Sequence, residues 1–241
     1  MNIYTQNSFE NKLALGQAAE ARLMRYFERA GLKPTPSTIE QQHLGDFSIK
    51  NGSFFIEVKD DEEFDKRGNL YFELGEIYTK SKKLEAVGVL KHAQYDTPIL
   101  MAHLLGSSGQ WAFYSPRVFL KWVSQVLHTR DDVYAKFVIT EDFTNRGSGK
   151  FKLGLVIEDF LTAYEYFSWD LEQEAGIDVS RLAKESELQA VVKDAWLGDD
   201  CLGWTEGKLL GGLKVLLTKY DVFAKNFDVE DLASYEWTVR G

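Results

Sequence analysis

The stretch GDFSIKNGSFFIEVKDD, residues 45–61, places Asn51-Gly52 between two short apolar runs. Asn-Gly favours the two-residue turn with positive φ at both central positions, whose twist matches that of two antiparallel strands. Such a turn fixes a register. Lys50 faces Ser53, Ile49 faces Phe54, Ser48 faces Phe55, Phe47 faces Ile56 and Asp46 faces Glu57. Side chains alternate along a strand, so Phe47, Ile49, Phe54, Ile56 and Val58 share one wholly apolar face. Asp46, Ser48, Phe55, Glu57 and Lys59 share the other. Two carboxylates ~5 Å apart repel by roughly 3 kcal/mol at an effective dielectric of ~20, and by less than ~1 kcal/mol in open water. The pair is therefore cheap if exposed and costly if buried, and a divalent cation between the carboxylates reverses the sign. Magnesium suits such oxygen ligands. Lys59, two residues on, points the same way and can orient a water or stabilise charge on a phosphate.

A helix is expected over about residues 9–30, capped by Ser8, ended by Gly31 and followed by Pro34. With Leu13 at 0° and 100° per residue, Glu20 falls at about −20°, in the middle of a stripe holding Met24 and Phe27, flanked by Leu23 and Ala30. A carboxylate facing a core needs a partner. Taken singly, these features have plainer readings: a charged hairpin face is often only solvated, and a Glu on an apolar helix face is more often ion-paired than a ligand. The tripeptide acid-x-Lys is itself unspecific, recurring at Glu10–Lys12 and Glu206–Lys208. Only Glu57–Lys59 lies on an apolar strand with an Asp before it.

Along the rest of the chain, NLYFELG (69–75), PILMAHLL (98–105), QWAFY (110–114), VYAKFVIT (133–140) and KFKLGLVI (150–157) read as strands. TKSKKLEAVGVL (79–90) reads as a short helix with a basic start. SPRVFLKWVSQVLHTR (115–130) reads as a helix, with Ser115 at the cap and Pro116 at the first helical position. Helices are expected near 178–196 and 205–225. The order indicates an α/β domain over 1–168 with a mixed sheet flanked by helices, and a helical, acidic C-terminal region over 169–241.

The 241 residues carry a net charge of −9, which at first opposes a nucleic-acid partner. The charge is uneven. Residues 1–130 hold 16 Lys and Arg against 15 Asp and Glu, and residues 131–241 hold 12 against 22. A nucleic-acid site in the first half remains open, and the acidic second half offers a surface to a protein partner. Cys201 is the sole cysteine, so no disulfide forms within the chain and a reducing cytoplasm is the expected home. No apolar run nears the ~20 residues of a membrane helix, and the N-terminus does not read as a signal peptide. The histidines lack metal-ligand spacing, although His43 lies three residues before Asp46. There is no glycine loop for phosphates and no nucleophilic serine motif.

Glu20 on a helix, then Asp46 and Glu57-Val58-Lys59 on the two arms of a hairpin, resemble the PD-(D/E)xK nuclease superfamily, with its restriction-endonuclease-like fold. The text GDFSIKNGSFFIEVKDD followed by GNLYFELGE looks like the phage and Holliday-junction-resolvase type of that superfamily. The resemblance spans about residues 9–125, with an outer bound at 165, and does not reach the acidic C-terminal part. Gly45 stands where the motif has Pro, and VGVLKHAQYD stands where similar sequences have a Ser/Thr-rich stretch. The resemblance implies that Asp46, Glu57 and the Val58 carbonyl bind Mg2+, with Mn2+ as a substitute. Glu20 completes the shell directly or through water, or holds a second ion, and Lys59 positions the attacking water, so the expected activity is hydrolysis of DNA phosphodiester bonds. Nucleases of this fold often pair to cut two strands, so a homodimer is also in view. Lys66, Arg67, Lys80, Lys82 and Lys83 are candidates to grip phosphates, against the plainer reading of a solvated surface. Glu73 is a candidate supporting acid, against an exposed strand position. The rival readings are a nuclease-fold binding or inhibitory module that does not cut, and a metal-dependent phosphotransfer enzyme acting on nucleotides.

Overall fold

The Asn-Gly turn forms as its residue types dictate. In a computed structural model of the chain, Asn51 has φ 58° and ψ 40° and Gly52 has φ 82°, both left-handed. The ladder pairs Ile49 with Phe54, Ser48 with Phe55 and Phe47 with Ile56, the predicted register. The structure describes residues 3–52, 54–61, 64–95, 97, 99–125, 134–141, 147–165, 182–183, 222–224 and 235–239.

In chain order the elements are α1 (Ile3–Arg29), β1 (Thr35–Pro36), β2 (Phe47–Ile49), β3 (Phe54–Asp61), α2 (Phe64–Arg67), β4 (Leu70–Tyr78), β5 (Lys83–Ala86) and α3 (Gly88–His92). There follow β6 (Ile99–Leu105), β7 (Gln110–Tyr114), α4 (Pro116–Gln125), β8 (Ala135–Glu141), β9 (Lys150–Ile157), β10 (Leu182–Ala183), β11 (Val222–Ala224) and β12 (Glu236–Val239). They build two mixed sheets, ordered β1-β2-β3-β6-β7-β10 and β11-β8-β9-β4-β5-β12. The chain is thus α/β, with mixed sheets and flanking helices. In the first sheet β3 and β6 run parallel, and the crossover between them is the β4–β5 hairpin plus α3.

The first sheet is buried on both faces. Phe47, Ile49, Phe54, Ile56 and Val58, with Leu100, Ala102 and Leu104 of β6, pack under Ala19, Leu23 and Phe27 of α1. The opposite face contributes Met101, Leu105, Ala112 and Tyr114 to a larger core with the second sheet and α4. That second core explains why β3 and β6 read as near-continuous apolar runs.

Several expectations needed correction. The first helix begins at Ile3, so Ser8 lies inside it rather than at its cap; no breaker precedes Ser8 to stop the helix. Its buried stripe is Ala19, Leu23 and Phe27, while Leu13 is 52% exposed. Glu20 sits about 60° from Leu23, at the rim of the stripe rather than its middle. TKSKKLEAVGVL is not one helix. β4 runs on to Tyr78, a turn with Lys82 at φ 50° follows, and Lys83–Ala86 pair with β4, leaving only Gly88–His92 helical. Sheet pairing outweighed a short helical pattern with weak propensity. The expected helices near 178–196 and 205–225 lie mostly outside the described residues. Where those segments are described, Leu182–Ala183 and Val222–Ala224 are strands, on β7 and β8 respectively.

Candidate functional site

The regular ladder ends at Phe47, and the chain changes course at the next residue back. Asp46 N–H bonds the Ile56 carbonyl at 2.8 Å, one residue short of Glu57. The Asp46 side chain then takes over the ladder: its Oδ2 accepts the Val58 N–H at 2.7 Å. The expected square facing of Asp46 and Glu57 is thereby replaced by a shifted contact that ties the carboxylate to the β3 backbone. The shift also accounts for Gly45. A Cβ there would lie 2.7 Å from the Ile56 carbonyl oxygen, so the proline of the motif would collide where glycine passes. A strand residue projects its N–H and C=O to the same side, so the Val58 carbonyl also turns toward Asp46.

Glu57 and Lys59 lie on the face of β3 turned away from α1, where they stand beside Met101 and His103 of β6 in parallel register. Glu57 is buried, with an 11% exposed side chain, whereas the Lys59 side chain is 44% exposed. Lys59 Nζ donates to Glu57 Oε1. His92 Nε2, from the end of α3, lies 3.6 Å from the same oxygen. Burial works against the Glu57 charge, but Lys59 and His92 outweigh it and hold the carboxyl down at about 2. Asp46 goes the other way. Burial, and then the Glu57 charge, push it up to about 7, against the Val58 hydrogen bond and Lys59. Glu20 is raised by burial and by Glu57, and relieved by Lys59. Partial burial opposes the Lys59 charge, yet Glu57, Asp46 and Glu73 raise its pKa. Glu20, Asp46, Glu57 and Lys59 are therefore one electrostatic unit, in which three carboxyl groups share one lysine. Among the described residues, no three His, Cys, Asp or Glu side chains form a ready ligand cage.

Glu73 belongs beside this unit. It lines the same cavity as Lys59 and pairs with Lys152 at 2.9 Å. A bulge between Glu73 and Gly75 kinks β4 there. Gly88, at φ 52°, lets α3 come so close that a Cβ would meet the Glu73 carbonyl oxygen at 2.4 Å. Of the candidate basic residues, Arg67 reaches the cavity mouth. The turn after β6 holds α2, and with it Lys66 and Arg67, because Asp65 Oδ2 accepts the Ser107 N–H at 2.7 Å. Lys80, Lys82 and Lys83 sit at the far end of the β4–β5 hairpin, with Lys82 over the Tyr235 ring at 6.0 Å. The structure does not bring them to the four-residue unit.

Two histidines to which the sequence assigns no role stand beside the unit. His92 reaches Glu57, and His103 stands beside Lys59 with Nε2 2.8 Å from the Tyr114 hydroxyl. Burial, reinforced by the Lys59 charge, drives His103 down to about 3, so its ring is neutral. Neither has metal-ligand spacing, and the strand pairing that places His103 depends on a crossover no local pattern reveals. His43 is exposed and packs on Tyr95, ring centres 5.4 Å apart. No family, curated protein or solved structure matched the chain. Among the described residues no helix is long and apolar enough to cross a membrane.

Proposed function

We propose that the chain is a magnesium-dependent deoxyribonuclease of PD-(D/E)xK type, with a restriction-endonuclease-like first sheet. The observation that carries the reading is the Asp46–Glu57–Lys59 arrangement. One carboxylate is pinned to the Val58 N–H, and a second is buried and paired to a lysine whose exposed side chain faces a cavity. The helix carrying Glu20 and the two hairpin arms supply these groups in the order of the resemblance.

The donor types, all oxygen, suit a hard divalent cation that would draw them together, since among the described residues no three acids are caged without it. Asp46 and Glu57 offer carboxylate oxygens and Val58 a carbonyl, with Glu20 in electrostatic reach. Burial first, and the Glu57 charge second, raise the pKa of Asp46, and a bound cation would offset both by favouring the carboxylate. When bound, the metal contributes charge neutralisation at the scissile phosphate. The chain's own groups do the rest. Glu57 holds Lys59 in place through its ion pair. The ammonium, kept protonated by three acids, orients the attacking water and offsets charge on the phosphate. Arg67 binds a neighbouring phosphate and fixes register.

The reading is tested by incubating supercoiled plasmid and oligonucleotides with Mg2+ or Mn2+. Cleavage is expected from the native chain, and a loss of at least ~100-fold from Lys59→Ala and from Asp46→Ala. Cleavage that survives both substitutions places the activity elsewhere. Mn2+ binding heat that is absent from the native chain also overturns the reading.

A further inference from the structure

Resting on the nuclease reading, we propose that the cavity beside Lys59 receives a single nucleobase turned out of the helical stack. The substrate class is then DNA with an unpaired nucleotide next to the scissile phosphate: a single strand, a flap or a frayed end. The cavity measures about 460 Å³. That lies within the ~300–1,000 Å³ of small-ligand pockets, which admits one nucleoside and excludes a duplex.

Its walls have a direction. Lys59 and Arg67 supply cations that suit the phosphates flanking the base. Asp60 and Asp61 line it too, and their carboxylates disfavour a phosphate inside, so the uncharged base is the part that enters. Phe72, Val89 and Met101, all buried, make the apolar wall. Tyr71 is 38% exposed and supplies an aromatic surface. Its ring lies against the bare backbone of Gly154, where a Cβ would come within 2.0 Å of it, so β9 backs the ring. Stacking on such a ring tolerates any base. His103, buried beside Lys59 on the neighbouring strand, closes the wall behind the lysine.

The test uses oligonucleotides carrying 2-aminopurine at successive positions, bound in Ca2+ to the full chain. Quenching confined to one position is expected. It should be lost in Tyr71→Ala, kept in Tyr71→Phe, and weakened in Val156→Phe, which narrows the cavity. In Mg2+, the native chain is expected to cut the unpaired strand at least about tenfold faster than the matched duplex. Tyr71→Ala should erase most of that preference while Tyr71→Phe restores it. Lys59-dependent cleavage with no such preference, or one indifferent to Tyr71→Ala, overturns the pocket and leaves the nuclease reading intact. Position-specific quenching without any cleavage overturns the nuclease reading and leaves the pocket.

Discussion

The two faces of the β2–β3 hairpin are made from alternate residues of the same two strands and solve opposite problems. Toward α1, Phe47, Ile49, Phe54, Ile56 and Val58 meet Ala19, Leu23 and Phe27, and nothing polar interrupts them. Toward the second sheet, Ser48, Phe55 and Glu57 are equally buried, but the face ends in a carboxylate paired to a half-exposed lysine. The first face is wholly apolar; the second holds a buried carboxylate with its lysine and histidine partners. Buried ion pairs contribute little net stability, because desolvation consumes most of the Coulombic gain. The contrast teaches that one strand can anchor a domain with alternate residues and present charge with the rest.

That contrast can be broken from the apolar side first. Phe27→Ala removes a fully buried ring and should cost about 3–5 kcal/mol in urea unfolding. A cost below ~1 kcal/mol means the helix does not seal the sheet. From the charged side the sign reverses. Asp46→Asn keeps an acceptor for the Val58 N–H while removing a carboxyl whose pKa is raised to about 7 by burial and Glu57. Metal-free, at pH 8, the variant should be more stable by about 1–3 kcal/mol, while cation-dependent cleavage disappears. A loss of stability there would mean that the carboxylate is structurally favourable.

The pH dependence sharpens the comparison further. His103 is held at about 3, below its ordinary value near ~6.5, so the unfolded chain takes up its proton first as pH falls. Its contribution is complete above ~6.5 and is lost at up to ~1.4 kcal/mol per pH unit on acidification. Asp46 has the opposite sign. With its folded value above its unfolded one, its protonation stabilises the native state as pH falls from about 7 toward ~4. The two slopes oppose each other between pH ~4.5 and ~6.5, so native stability should be nearly flat there. In Asp46→Asn the His103 slope should emerge in denaturation series at several pH values, reduced only by Glu20, whose pKa burial also raises. A flat profile in both proteins removes His103 from the balance. The smallest effect belongs to the distant basic turn. Lys83→Ala should change stability by less than ~0.5 kcal/mol, and DNA affinity much less than Arg67→Ala does in a salt titration.

Local rules made the hairpin legible. Asn51 and Gly52 tolerate positive φ, the turn length sets the register, and strand alternation sorts the side chains, so Glu57 and Lys59 were placed on one face from the text alone. Legibility failed where neighbours decide. The basic segment 79–86 has a plausible helical pattern, yet β4 offers it a sheet edge and it pairs. Leu13 reads as core and is exposed, because the sheet reaches only the second half of α1. Glu73 had two readings in the sequence, a supporting acid or an exposed strand position, and the bulge beside it and the close approach at Gly88 set it near Lys59.

By itself, then, the sequence determined the turn, the two-faced ribbon and the candidates Glu20, Asp46, Glu57 and Lys59, because each follows from bonds and contacts a few residues apart. Only the tertiary structure decided that Asp46 bonds the Val58 backbone, that His92 and His103 stand beside Glu57 and Lys59, and that a cavity opens there. Those contacts join segments far apart in the chain through a parallel crossover, and long-range pairing leaves no periodic trace in the residues that make it.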